Sequence, residues 1–209
     1  MNFFLSIFIA YFILTFSVLA DEARDPHDRS DTSMEDGALQ KHRGLTEKTH
    51  DSLPVKRDKL MTDIEQGKLI NVIKFLQDEK TLNFITDSGL NPLVHAGGAS
   101  NLAIVKMIVE DGKVPIDSED ELGDTALIKA SAKGNAEIII FLLEKGANIN
   151  HQNKSGITSV MKAAEKSNFY ILKLLLENNA DIDTSDYTGR TVREIAENSR
   201  DKRIKQLLN

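Results

Sequence analysis

A phrase recurs in this chain at an almost fixed interval. Gly123-Asp124-Thr125-Ala126-Leu127 opens one copy, and Lys145-Gly146-Ala147-Asn148-Ile149-Asn150 closes it. Gly156-Ile157-Thr158 opens the next, which ends at Asn179-Ala180-Asp181-Ile182-Asp183, and Gly189-Arg190-Thr191 opens another. Gly123 to Gly156 is 33 residues and Gly156 to Gly189 is 33 again, whereas Gly89 to Gly123 is 34. A period near 33 residues belongs to helix-turn-helix units joined by β-turns, each burying its apolar face on the next. Such a solenoid is all-α, and it offers an extended surface in place of a central pocket, which points the function toward binding.

The matched positions have physical work to do. Gly123, Gly156 and Gly189 supply the permissive backbone of a tight turn. Thr125, Thr158 and Thr191 stand where a hydroxyl caps the first helix of a unit, and Pro92 suits a first helical turn. Small Ala130 and Ala163 let paired helices approach. Ile138, Ile139, Leu142 and Leu143 form an apolar stripe on a second helix, and Gly112 and Gly146 stop second helices. These residues are scaffold, and none is read as catalytic.

The chain resembles the ankyrin-repeat family. The resemblance rests on Asp120, Gly123, Thr125, Leu127, Ala130, Gly134, Ile138, Ile139, Leu142, Leu143, Gly146 and Ala147. Residues 153–183 repeat it with Gly156, Thr158, Ala163, Ile171, Leu172, Leu175, Leu176 and Ala180; residues 86–117 do so with Gly89, Pro92, Leu93, Ala96, Ile104, Val105, Ile108 and Gly112. It implies an all-α ankyrin solenoid over 58–209: an N-terminal cap repeat at 58–85, full repeats at 86–118, 119–151 and 152–184, and a C-terminal cap repeat at 185–209. The family's His after Thr-Pro-Leu is replaced by Val94, Ile128 and Lys162, so its Thr–His hydrogen-bond ladder does not carry over. One residue is inserted between Gly112 and Asp117, where Pro115 predicts a bulged turn. At the ends, Leu60, Ile64, Val72, Phe75 and Leu76 predict a helix pair without a leading hairpin, Asp63 suits an exposed outer face, and Lys202, Arg203 and Lys205 give the last helix a polar side.

The N-terminus reads differently. Residues 3–20 are uncharged and apolar, and Val18-Leu19-Ala20 before Asp21 fits a signal-peptidase cut. The run also lacks a basic lead-in and is long enough to span a bilayer as an uncleaved anchor. Residues 21–57 are charged and without apolar periodicity, and are read as a disordered linker. Its His27, His42 and His50 have no metal-ligand spacing.

Composition narrows the function. There is no Cys, which excludes disulfides, thiol catalysis and Cys-ligated zinc. A net charge of −6 argues against nucleic-acid binding. No nucleophile–base pair, phosphate loop or metal cluster is present in sequence, so the chain is read as a non-enzyme without cofactor or metal. The acidic run Asp117, Glu119, Asp120 and Glu121 reads as a solvated turn, and Asn153-Lys154-Ser155 is an N-glycosylation acceptor sequence. The ankyrin resemblance implies partner contact at hairpin tips and on the first-helix face, here Asp87, Leu90, Glu121, Leu122, Asp124, Lys133, Lys154, Ile157, Lys166, Tyr187 and Arg190. The composition, rich in Ile, Lys and Asn and without Trp, is similar to that of small exported ankyrin-repeat proteins of AT-rich, host-associated bacteria such as rickettsiae. That resemblance implies an exported monomer, periplasmic or secreted, that binds a protein partner. The alternative is a membrane-anchored periplasmic protein that protects or assembles a partner enzyme.

Overall fold

The computed structural model describes residues 52–79, 82, 89–199 and 201–208. The signal or anchor segment 1–20, nearly all of the linker and Asp87 lie outside the described residues. Among the described residues, ten helices with set bounds follow one another in five pairs: α1 (Leu53–Glu65) with α2 (Leu69–Gln77), α3 (Pro92–Gly98) with α4 (Leu102–Asp111), α5 (Ala126–Lys133) with α6 (Ala136–Glu144), α7 (Ser159–Glu165) with α8 (Phe169–Glu177), and α9 (Val192–Glu197) with α10 (Lys202–Leu208). Among the described residues there is no strand, and one isolated antiparallel bridge joins Ser185 and Thr191. Helix α1 starts five residues before the boundary placed at 58. Pro54 in its first turn presets the helical φ, and the half-exposed Leu53 and Val55 give too weak a stripe to be seen in sequence.

The local code is periodic. Thr125, Thr158 and Thr191 accept from the N–H three residues on, opening α5, α7 and α9, and Asn91 does the same for α3. The second helices use asparagine, which sequence reading missed: Asn101, Asn135 and Asn168 cap α4, α6 and α8, each accepting at 3.2 Å from the third residue on. Between the helices of a pair the chain turns through a left-handed residue. Gly67 and Gly134 hold this position in two pairs, but Ser100 (φ 60°) and Ser167 (φ 54°) hold it in two others. Gly112 and Gly146 are left-handed after the second helices, as expected, and Asn179 (φ 64°) takes that place after α8.

First helices pack successively on one another, α1 on α3, α3 on α5, α5 on α7 and α7 on α9, and each also packs on its own second helix. The shared core is built from residues one period apart. Leu93, Leu127 and Val160 repeat on the first helices, and Ile104, Ile138 and Ile171 on the second. Burial of one such side chain contributes roughly 1.5–3 kcal/mol. The inserted residue is absorbed locally. Val114 turns into the core, Lys113 Nζ donates to the Leu76 carbonyl at 2.6 Å, and Pro115 sits exposed in a turn closed by Ser118 N–H to its carbonyl at 3.1 Å.

The ends are polar where the middle is apolar. Lys59 is exposed at the position that buries Pro92, Ala126 and Ser159 in later units, and Lys74 stands where Phe141 is buried. At the other end Arg193, Glu194, Glu197 and Lys205 are exposed where Val160, Met161, Ala164 and Leu172 are buried. Asp63 corrects the expectation of an exposed outer face: it is only 2% exposed. Its carboxylate accepts from Asn71 Nδ2 at 3.1 Å and pairs with Lys68 at 3.4 Å, which offsets the cost of burying the charge.

Candidate protein-interaction surface

Three connecting hairpins are each organised by one side chain. Asp120, Asn153 and Asp186, spaced 33 residues apart, use Oδ1 to accept from the backbone N–H two and four residues on, at 2.9–3.0 Å. This closes the turn with a side chain in place of a second strand. Successive hairpins are then tied together: Lys154 N–H donates to the Leu122 carbonyl, and Tyr187 N–H to the Ser155 carbonyl, both at 3.1 Å. Asp117 Oδ1 accepts from Asn148 N–H, and Asn150 Oδ1 from Asp181 N–H, again one period apart. These bonds link successive units in a stack whose sequence does not carry the Thr–His ladder.

The tip residue of each hairpin lies over the turn glycine of the one before it. A Cβ on Gly89 would meet Glu121 Cγ at 2.5 Å, one on Gly123 would meet Lys154 N at 2.8 Å, and one on Gly156 would meet Tyr187 N at 2.7 Å. Glycine is therefore required at Gly123 and Gly156 for close approach as well as for φ. Glu121, Lys154 and Tyr187 form one tip row, and Lys154 Nζ also donates to the Glu121 carbonyl at 2.9 Å. Leu122 and Tyr187 stand out from it, 63% and 71% exposed.

The residues just after each turn glycine were expected at the partner face, and the structure turns three of them inward. Asp124 is 5% exposed; it accepts from Asn153 Nδ2 at 2.6 Å and pairs with Lys129 at 2.7 Å. Leu90 and Ile157 are half-buried against the core. Arg190 stays exposed, but its guanidinium is held by Asp186 Oδ2 through Nε at 2.9 Å and Nη2 at 2.7 Å. The Thr188 hydroxyl first, and then Arg190, hold the buried Asp186 carboxyl well below the usual carboxylate range. Asn153 is 7% exposed with both amide atoms bonded, so the glycosylation acceptor is sealed in the folded hairpin. Lys133 and Lys166 are exposed at the ends of α5 and α7, as expected.

A cleft of about 420 Å³ runs along the first helices α1, α3 and α5. Leu90, Val94 and Ala99 give it apolar lining, and Glu65, His95, Lys129 and Lys133 its charge. Glu65 Oε1 lies 3.2 Å from His95 Nε2, and the two pair as ions when the ring is protonated. Lys129 is fixed by Asp124 and by Asp120 at 3.0 Å. Burial alone would pull its ammonium down, but the two carboxylates outweigh this and hold its pKa above the ordinary lysine value. Glu65 and Lys129 were not singled out from sequence. For His95 and Lys129 a signal was present: polar residues recur at Thr62, His95, Lys129 and Lys162, one per period.

Comparison with known proteins agrees with this geometry. A family model described as ankyrin repeats matches residues 60–153 in three copies. Ankyrin repeat domain-containing protein 29 of Danio rerio is 37% identical over 62 residues, 30% of this chain and 21% of that protein. Ankyrin repeat and SAM domain-containing protein 6 of Mus musculus is 34% identical over 74 residues, 35% of this chain and 8% of that protein. The chain thus spans about a fifth or less of the length of these relatives. The helix pairs continue past the matched segment to Leu208 in the same register. Residues 60–153 thus match ankyrin repeats, and the stacked helix pairs fit an ankyrin solenoid, a kind of surface that suggests protein–protein interaction.

Proposed function

We propose that this chain is an exported, monomeric, non-enzymatic binding module. It captures a protein partner with the tip row Glu121, Leu122, Lys154 and Tyr187 and with the adjoining first-helix face that carries Lys133 and Lys166. The carrying observation is the exposure of Leu122 and Tyr187 on hairpins whose backbones are locked by bonds to their neighbours. Exposed apolar and aromatic side chains on a rigid support bind at low ordering cost, which is the setting of interface hot spots. The resemblance to small exported ankyrin-repeat proteins of host-associated bacteria directs the search to periplasmic or host proteins.

The test is capture of partners by the tagged full chain, compared with a Leu122→Ser/Tyr187→Ser variant and an Ile140→Ser control. Ile140 is 42% exposed on a second helix, away from the tips. The tip variant should keep its helical circular dichroism and lose tenfold or more of its capture, while the control keeps both. Undiminished capture by the tip variant would move the binding face elsewhere. The uncharged run at 3–20 favours a second reading, retention as a membrane anchor next to a partner enzyme. N-terminal sequencing of the fractionated protein separates the two: Asp21 as first residue means release, and Met1 in the membrane fraction means anchorage.

A further inference from the structure

Leu122 and Tyr187 stand out of the tip row two hairpins apart, and the charge around them is one-sided. The segments between α4 and α5, α6 and α7, and α8 and α9 are residues 112–125, 145–158 and 178–191. They hold eight carboxylates against Lys113, Lys145, Lys154 and Arg190, so four of the chain's six excess negative charges fall there. Three of the eight serve the fold: Asp120 and Asp124 are held by Lys129, and Asp186 by Arg190. The other five are Asp117, Glu119, Glu121, Asp181 and Asp183. Asp117 is half-buried and the remaining four are exposed. None of the five pairs with a lysine or arginine among the described residues; the basic group beside them is His151, whose Nε2 lies 3.5 Å from Glu119 Oε1.

The lysines of these segments are engaged elsewhere. Lys113 Nζ bonds to the Leu76 carbonyl and lies 3.8 Å from Asp111, Lys145 Nζ lies over the Phe141 ring, and Lys154 Nζ bonds to the Glu121 carbonyl. Lys133 and Lys166 stand at the far ends of α5 and α7, about 10 Å along the helix axis from the hairpins. Exposed apolar side chains set among carboxylates of one sign select a partner of the opposite sign, because a like charge brought there is repelled and a cation is attracted. Two helix spacings separate Leu122 from Tyr187, roughly 20 Å, a span covered by about six residues of extended chain.

We infer that the tip row takes a basic segment of its partner, extended along the hairpins. Lysine or arginine side chains of that segment reach Glu119, Glu121, Asp181 and Asp183, while apolar ones pack on Leu122 and Tyr187. The inference rests on the partner-capture reading above and adds the chemistry of the partner. The probe is a fluorescein-labelled decapeptide of alternating lysine and leucine, titrated with the full chain and followed by anisotropy, beside its alternating glutamate–leucine counterpart. The lysine peptide should bind and weaken steeply as salt is raised, and the glutamate peptide should not bind. Glu119→Gln/Glu121→Gln/Asp183→Asn should weaken the lysine peptide fivefold or more with helical circular dichroism unchanged. Glu65→Gln/Glu137→Gln/Glu197→Gln removes the same charge from exposed helix positions away from the tips and should leave binding within twofold. Equal weakening by the two triple variants would reduce the effect to net charge and overturn the inference, and so would preference for the glutamate peptide. Capture of the natural partner separates this inference from the reading beneath it. If the charge variant keeps a capture that Leu122→Ser/Tyr187→Ser loses, the tip row stands and the basic partner falls. If the apolar variant keeps it, the tip row itself falls.

Discussion

The middle pairs and the end pairs follow one pattern and part company only where a neighbour is missing. In α5 and α6, Leu127, Ile128, Ile138 and Ile139 are all at most 1% exposed, because a unit packs on either side. In the last pair the equivalents of Leu127, Ile128 and Ile139 are the exposed Arg193, Glu194 and Lys205, while Ile204, the equivalent of Ile138, remains buried. In the first pair Lys59 and Lys74 replace buried residues on the opposite side. Each end therefore changes one side of its helices and keeps the side that still meets a neighbour. A residue's burial in this stack is set by the unit next to it, and stability is accordingly a sum of units and interfaces.

The largest effect that probes this contrast is loss of core volume. Leu142→Ala, at a position 0% exposed between two units, should cost about 2–5 kcal/mol and lower the denaturation midpoint of the stack. Leu208→Ala, at the outer end and 5% exposed, should cost less and speed hydrogen exchange mainly in α9 and α10. Equal losses in urea titrations of both variants would break the comparison. A smaller effect separates the turn glycines. Gly156 has φ +76° and lies under Tyr187, whereas Gly189 has φ +88° and nothing within 4 Å. Gly189→Ala should cost about 1 kcal/mol from backbone strain alone. Gly156→Ala should cost clearly more, because its Cβ would press on the backbone of the next hairpin, and thermal midpoints would rank the two. The smallest effect runs the other way. Ser100 holds φ 60° where Gly67 and Gly134 serve elsewhere, so Ser100→Gly should stabilise by a few tenths of a kcal/mol, the relieved strain being partly offset by unfolded-state entropy. A lowered melting temperature would show that the serine side chain contributes a contact of its own.

Much of the fold was legible because it is written once per period. The glycine spacing, the threonine caps, the apolar stripe and the polar ends all follow from comparing one copy with the next. The asparagine caps were equally periodic and went unread, since asparagine is also an ordinary loop residue. The candidate site was legible in part. Glu121, Leu122, Lys154 and Tyr187 were placed at the tips from their nearness to turn glycines, and they form the exposed row. Asp124, Leu90 and Ile157 shared that nearness but lie on the inward side of the turn. Proximity to a glycine locates a hairpin, but it does not tell which way a side chain points once an Asp or Asn has closed the turn.

Sequence by itself determined the repeat, its length, the threonine starts of its first helices, the glycine stops of its second helices and the polar side of its last helix, because these depend on residues within one unit or at the same position in the next. Tertiary structure alone decided which charges are buried and which glycines are covered. Asp63 is satisfied by Lys68 and Asn71, Asp124 by Lys129 and Asn153, and Gly156 is roofed by Tyr187. Asp124 meets Asn153, and Gly156 meets Tyr187, about one period away in sequence, and only stacking brings such residues within hydrogen-bond or van der Waals distance. The strength of those interactions comes from the water that the neighbouring unit excludes.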